Sequence, residues 1–210
     1  PFQIMKPKIF FLFLLFCTHL AIAQTDIGVR AFFENPSDDH PEIFDNSVGG
    51  ELIFKKSFRE QGRLVARGGV TFLSRNFRFD SYPDYVIVED RGEFMAVESE
   101  INLEQYQEYF FALGLNLILL NRNDFKLYVG GDGLLGRYEF TYESFFEGFS
   151  QGDKAETGNL AGYRLRFGAD YILNDNFIFT ASSHWGKRSI TAIDYYSLFD
   201  FGIGVAYRIE

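Results

Sequence analysis

The stretch Phe199-Asp200-Phe201-Gly202-Ile203-Gly204-Val205-Ala206-Tyr207-Arg208-Ile209 alternates without a break. Phe199, Phe201, Ile203, Val205, Tyr207 and Ile209 occupy every second position; Asp200, Gly202, Gly204, Ala206 and Arg208 fall between them. Successive side chains of a strand point to opposite faces, so this reads as a strand with one apolar face and one small or charged face. A helix would scatter both sets around its circumference.

Working back from it, the same design recurs. Ala161, Tyr163, Leu165, Phe167, Ala169 and Tyr171 oppose Gly162, Arg164, Arg166, Gly168 and Asp170. Tyr109, Phe111, Leu113, Leu115, Leu117 and Leu119 oppose Glu108, Phe110, Ala112, Gly114, Asn116 and Ile118. Less regular strand patterns lie at Thr25–Glu34, Val48–Phe58, Leu64–Arg75, Phe125–Phe140 and Phe177–Gly186, which predicts eight strands. Their connections alternate in length. Short ones at Arg59–Arg63, Asn121–Asp124 and Asn174–Asn176 carry the Asn, Asp and Gly of tight turns. Long ones are expected near Asn35–Ser47, Asp80–Gln107 and Thr141–Asn159, with a shorter fourth near Lys187–Asp194. An up-and-down sheet with turns at one end and loops at the other follows.

Composition supports an all-β domain. The 210 residues are 47% hydrophobic and 19% aromatic, with 20 Gly and only five Pro, a mixture that favours strands over helices. A net charge of −9 argues against nucleic acid as a partner, since a phosphate backbone needs a basic footprint. One cysteine, Cys17, makes neither an internal disulfide nor a Cys-rich metal site.

The first 23 residues predict a secretory signal. Lys6 and Lys8 precede the apolar run Ile9–Phe16, and Ala21-Ile22-Ala23 supplies small residues for cleavage before Gln24. Residues 1–4 read as an upstream extension, and residues 24–210 as the barrel domain.

Alternation alone leaves open which face is inside; a lipocalin-like barrel also has eight strands, with an apolar interior. Three features favour apolar side chains outside. Gly28, Gly49, Gly69, Gly114, Gly130, Gly162, Gly168, Gly202 and Gly204 share the polar face, where a narrow lumen needs small residues beside long charged ones. Aromatics gather near strand ends: Phe58, Phe125, Tyr171, Phe177 and Tyr207 at the turn end, and Tyr109, Tyr138, Tyr163, Trp185 and Tyr195 at the loop end. Girdles of this kind, and short turns opposite long loops, mark bilayer barrels. Closure meets the demand that every backbone group in hydrocarbon be paired.

With a signal segment, eight strands, alternating loop lengths and the ending Phe201-Gly202-Ile203-Gly204-Val205-Ala206-Tyr207-Arg208-Ile209-Glu210, the chain resembles the small outer-membrane β-barrels of the OmpA/OmpX type. It is most similar to the porin-like barrels of Bacteroidota. The resemblance implies an outer-membrane location, contact with outer-membrane lipid, and insertion by the barrel-assembly machinery, whose signal the last strand resembles.

On this reading the lumen holds Arg30, Glu51, Arg67, Asp132, Arg164, Arg166, Asp170 and Asp200, joined by Ser182 and His184. Charges of both signs in a confined space pair, because an unpaired buried charge is costly. A structural polar plug is expected, with a narrow gated path for ions or small solutes as the alternative. Ser182 and His184 share a face, and a hairpin would bring Asp200 across from Ser182, the raw material of nucleophilic catalysis. A lipid-modifying enzyme is therefore a second alternative, and no enzyme is the expectation. No metal and no cofactor is expected.

The expected loops are acidic. Asp38, Asp39, Glu42 and Asp45 give the first −4. Asp80, Asp84, Glu89, Asp90, Glu93, Glu98, Glu100 and Glu104 against Arg91 give the second −7. Glu143, Glu147, Asp153 and Glu156 against Lys154 give the third −3. A structural or surface-interaction role follows, with an extracellular ligand or protein meeting these loops.

Overall fold

A computed structural model describes residues 24–37, 45–58, 63–76, 81–90, 93–146, 149–190 and 193–209. Side chains are not described at 82–90, 93–95, 98, 146, 190 and 193–196. The proposed signal segment, Cys17, Asp38, Asp39, Glu42, Asp80, Arg91 and Glu147 lie outside the described residues.

The elements are β1 (Thr25–Ser37), β2 (Ser47–Ser57), β3 (Leu64–Arg75), β4 (Ser81–Asp90), β5 (Glu93–Arg122), β6 (Phe125–Phe146), β7 (Phe149–Ile172), β8 (Phe177–Ile190) and β9 (Ile193–Ile209). All pairings are antiparallel, and the sheet runs β3-β2-β1-β9-β8-β7-β6-β5, closed by β3 on β5. Eight strands therefore form a ring, and β4 stands outside it, paired with β5. The ring closes between the first and last strands, from Thr25↔Ile209 to Ser37↔Ser197, which sets both ends of the barrel chain beside the short turns.

Two of those turns show why the sequence reverses there. Arg122 pairs with Phe125, so Asn123 and Asp124 form a two-residue hairpin loop, with Asn123 at φ 50°. Asn tolerates that left-handed conformation, and the twist suits two antiparallel strands. At the next turn, Asn174 Oδ1 accepts from the backbone N–H groups of Asn176 at 3.0 Å and Phe177 at 2.9 Å.

Burial alternates as the polarity does. Val29, Phe33, Leu113, Leu135, Leu165, Phe167, Phe201 and Ile203 are exposed on the outer wall, whereas Arg30, Glu34, Glu51, Arg67, Glu108 and Arg164 are buried inside. An apolar exterior around a charged interior is the inverse of a lipocalin, and that alternative is overturned. Lumen glycines admit the charges. A Cβ on Gly69 would stand 2.7 Å from Glu51 Oε1, and one on Gly114 would strike the backbone of Gly131 and Asp132.

The loop end differs from expectation. Asp80–Gln107 and Thr141–Asn159 are largely strand: β4 pairs with β5 from Ser81↔Asn102 to Asp90↔Glu93, and β6 with β7 as far as Phe146↔Phe149. β5 alone has 30 residues, roughly 100 Å of strand at ~3.4 Å per residue. Only about 9–11 are needed to cross a bilayer. Beyond the barrel wall the described side chains of β5, β6 and β7 are exposed or half-buried on both faces, so no alternation of burial marks them. One girdle residue is also corrected. Tyr138 is 2% exposed and packs inside, because even-numbered residues of β6 share the face of Asp132. The other named girdle aromatics are exposed, apart from Tyr195, whose side chain is outside the described set.

A charged lumen network as the candidate functional site

β2 and β7 lie on opposite sides of the ring, and their inward residues meet across the axis. Glu51 on β2 accepts from Arg164 on β7, and also pairs with Arg67 at 2.7 Å and Arg30 at 3.7 Å. Asp132 on β6 receives Arg67 at 3.1 Å, Arg164 Nε at 2.8 Å, and Arg166. Arg166 also donates to Asn116 at 2.5 Å and, through Nε, to His184 Nε2 at 3.1 Å. His184 Nδ1 lies 3.0 Å from Asp200 Oδ2, and Asp200 accepts from Arg30. Nine side chains, drawn from all eight strands of the ring, thus form one connected cluster in which each carboxylate serves at least two cationic or imidazole partners.

Two smaller clusters flank it. Toward the turn end, Lys55 donates to both oxygens of Asp170 at 2.8 Å and stands 5.1 Å from the centre of the Tyr128 ring. Toward the hairpin end, Arg188 donates to Glu34 and Glu108, each at 2.5 Å, while Arg75 also donates to Glu34. Arg188 sits 4.5 Å over Phe110, which belongs to an interior apolar plug with Tyr106, Leu134, Tyr138, Leu160 and Leu198. Between the central and upper clusters a void of about 10 Å³ is lined by Glu34, Arg164, His184, Arg188 and Asp200. That is room for about one water molecule. The interior is filled by side chains, as expected of eight strands.

All ten residues singled out from sequence lie inside and are buried. Eight join the central cluster, Asp170 joins the lower one, and Ser182 takes part only through its backbone carbonyl, which accepts from Arg30 at 3.1 Å. Asp200 stands across from His184, and Gly202 across from Ser182, which corrects the expected placement of Asp200. Arg166 has only N–H groups to offer, so His184 Nε2 accepts and Nδ1 carries the proton given to Asp200. The imidazole nitrogen that would have to deprotonate a serine is thus already engaged.

Sequence reading missed Glu34, Lys55, Arg75, Glu108, Asn116 and Arg188 as members of the network. Strand parity carries the signal for most of them: Glu34 follows Arg30 by four residues, Lys55 follows Glu51, Arg188 follows His184, and Arg75 lies eight beyond Arg67.

The fold is shared with solved structures of bacterial surface and outer-membrane proteins. Neisserial surface protein A is 12% identical, with 87% of this chain and 96% of that chain covered and a TM-score of 0.54. A major outer membrane protein from Thermus thermophilus is 14% identical, with 90% and 100% covered and a TM-score of 0.54. The fold is that of a small outer-membrane β-barrel. No protein-family model and no curated protein matches the sequence.

Proposed function

We propose that the chain is an integral outer-membrane barrel of the OmpA/OmpX kind, exported and inserted by the barrel-assembly machinery. Its role is to hold an acidic interaction platform above the bilayer. The observation that carries this reading is the continuation of β5, β6 and β7 past the barrel wall. With β4 they make a four-stranded sheet in which, among the described residues, β4 pairs with β5 alone and β7 before Leu160 pairs with β6 alone. Both edges present backbone groups that no described strand pairs, a template for an extended segment of another protein. Exposed Glu100, Glu104, Glu139, Asp153 and Glu156 give the platform a negative field that favours a basic partner. The barrel beneath is a non-enzymatic scaffold, because cross-axis ion pairs and the apolar plug fill its lumen.

The test replaces 141–157 with a tight turn. The shortened protein is expected to keep heat-modifiable migration and to lose binding of basic extended peptides to whole cells. Steady openings of the intact protein in planar bilayers would overturn the scaffold reading in favour of a pore. Binding unaffected by the shortening would overturn the platform.

A further inference from the structure

On the outer wall an apolar groove of about 490 Å³ is lined by Leu115, Leu117, Val129, Leu165, Phe167 and Trp185. Beside its upper end β6 presents two glycines outward. A Cβ on Gly133 would meet nothing within 4 Å, and one on Gly131 would find only Leu165 and the Arg164 carbonyl, both at 3.7 Å. Glycine on a lipid-facing strand position forfeits apolar contact and often marks close approach of a ligand.

The two charges nearest the upper end of the groove, Lys187 and Arg137, are both basic. Lys187 is two residues beyond Trp185 on the same face of β8 and pairs with Tyr163, which in turn pairs with Gly133. Arg137 faces outward from β6, four residues beyond Gly133. Neither makes an ion pair with any described residue, although the nearby hairpins are rich in acids; outward Glu139 lies one step farther from the groove. Two such cations beyond the loop-side end of an apolar groove complement a phosphate-bearing amphiphile.

We propose that this groove is a binding site for a lipid with an anionic phosphate headgroup, its acyl chain along Leu165 and Trp185 and its phosphate on Lys187 and Arg137. The proposal rests on the membrane reading above. A second copy of this chain is a poorer occupant, since it would bring its own Lys187 or Arg137 to the same surface.

Trp185 is the chain's single tryptophan, so its fluorescence reports the groove directly. The protein is reconstituted in phosphatidylcholine vesicles containing a small fraction of either dibrominated phosphatidic acid or dibrominated phosphatidylcholine. The acidic lipid is expected to quench at lower mole fraction, by about fivefold per cation, the preference one basic side chain gives for an anionic headgroup. Lys187→Gln with Arg137→Gln is expected to abolish that preference while leaving quenching by brominated phosphatidylcholine. Lys154→Gln, on the hairpin above, leaves the preference intact. Equal quenching by the two lipids in the native protein overturns the site but not the membrane reading, and needs no variant to fold. A preference that survives the double substitution also overturns it, as does a groove shielded from both lipids in a cross-linked dimer. Absence of any quenching in a monomer that fails to insert overturns both.

Discussion

Arg164 and Glu51 meet across the axis of the barrel, 113 residues apart in the chain and on opposite sides of the ring. Each is also tied to a second partner: Arg164 to Asp132 at 2.8 Å, and Glu51 to Arg67 at 2.7 Å. Charges withdrawn from water are tolerated only when their partners surround them. The lumen is therefore a set of mutual obligations, and removing one carboxylate strands several guanidinium groups.

Asp132 is the sharpest case, because three arginines converge on it. Asp132→Ala is expected to destabilise the barrel by about 3–5 kcal/mol, the cost of breaking a buried pair on one side. Urea unfolding in lipid vesicles, read by the gel shift between folded and unfolded bands, measures it. A loss below roughly 1 kcal/mol, the range of exposed pairs, would mean that water reaches the cluster freely.

His184 and Ser182 separate a structural from a catalytic role. His184→Ala deprives Arg166 and Asp200 of a partner and is expected to cost about 1–3 kcal/mol. Ser182→Ala leaves the backbone carbonyl that Arg30 uses, and its stability should stay within about 0.5 kcal/mol of native. Lipid hydrolysis present in the native protein and lost in Ser182→Ala would reinstate the enzyme.

Glycines on the two faces should behave oppositely. Gly114→Ala drives a methyl into the backbone of β6 and is expected to cost about 1–3 kcal/mol. Gly133→Ala meets open space and should change stability by less than about 0.5 kcal/mol. Equal costs would mean that the faces have been misassigned.

Leu113, 75% exposed near the middle of the outer apolar belt, tests lipid contact. Leu113→Arg is expected to cost about 2–4 kcal/mol in a bilayer, the value for a basic residue near the midplane. Vesicle unfolding in which the arginine is tolerated as well as at a solvated surface would show the outer wall to be wet.

The barrel was legible because one face of each strand is apolar and the other is not. The segments ending at Ile209 and Tyr171 carried both the strand assignment and the identity of the inward face. Above the wall that contrast disappears, and Thr141–Asn159 was expected to be loop although Thr141, Tyr142 and Phe145 are good strand formers. Tyr138 was misplaced for a different reason: β6 is interrupted by outward Gly131 and Gly133, which hide its parity. Parity within each strand places Glu34, Arg75 and Arg188 inside, but that Glu34 pairs with Arg75 and Arg188 depends on strand order and register, which no single segment encodes. Likewise, only the β8–β9 register sets Asp200 beside His184 rather than Ser182.

Closure of the ring by β1 against β9 has a temporal consequence. Arg30 finds Asp200 across 170 residues, and Arg208 finds Asp26 across 182, so these contacts wait for the last strand to arrive. A chain shortened at its C-terminal end would leave a raw seam along β1 and orphaned ions within. Arrival of β9 is thereby made a condition of sealing, and a product cut before it would stay open to proteolysis instead of persisting in the membrane.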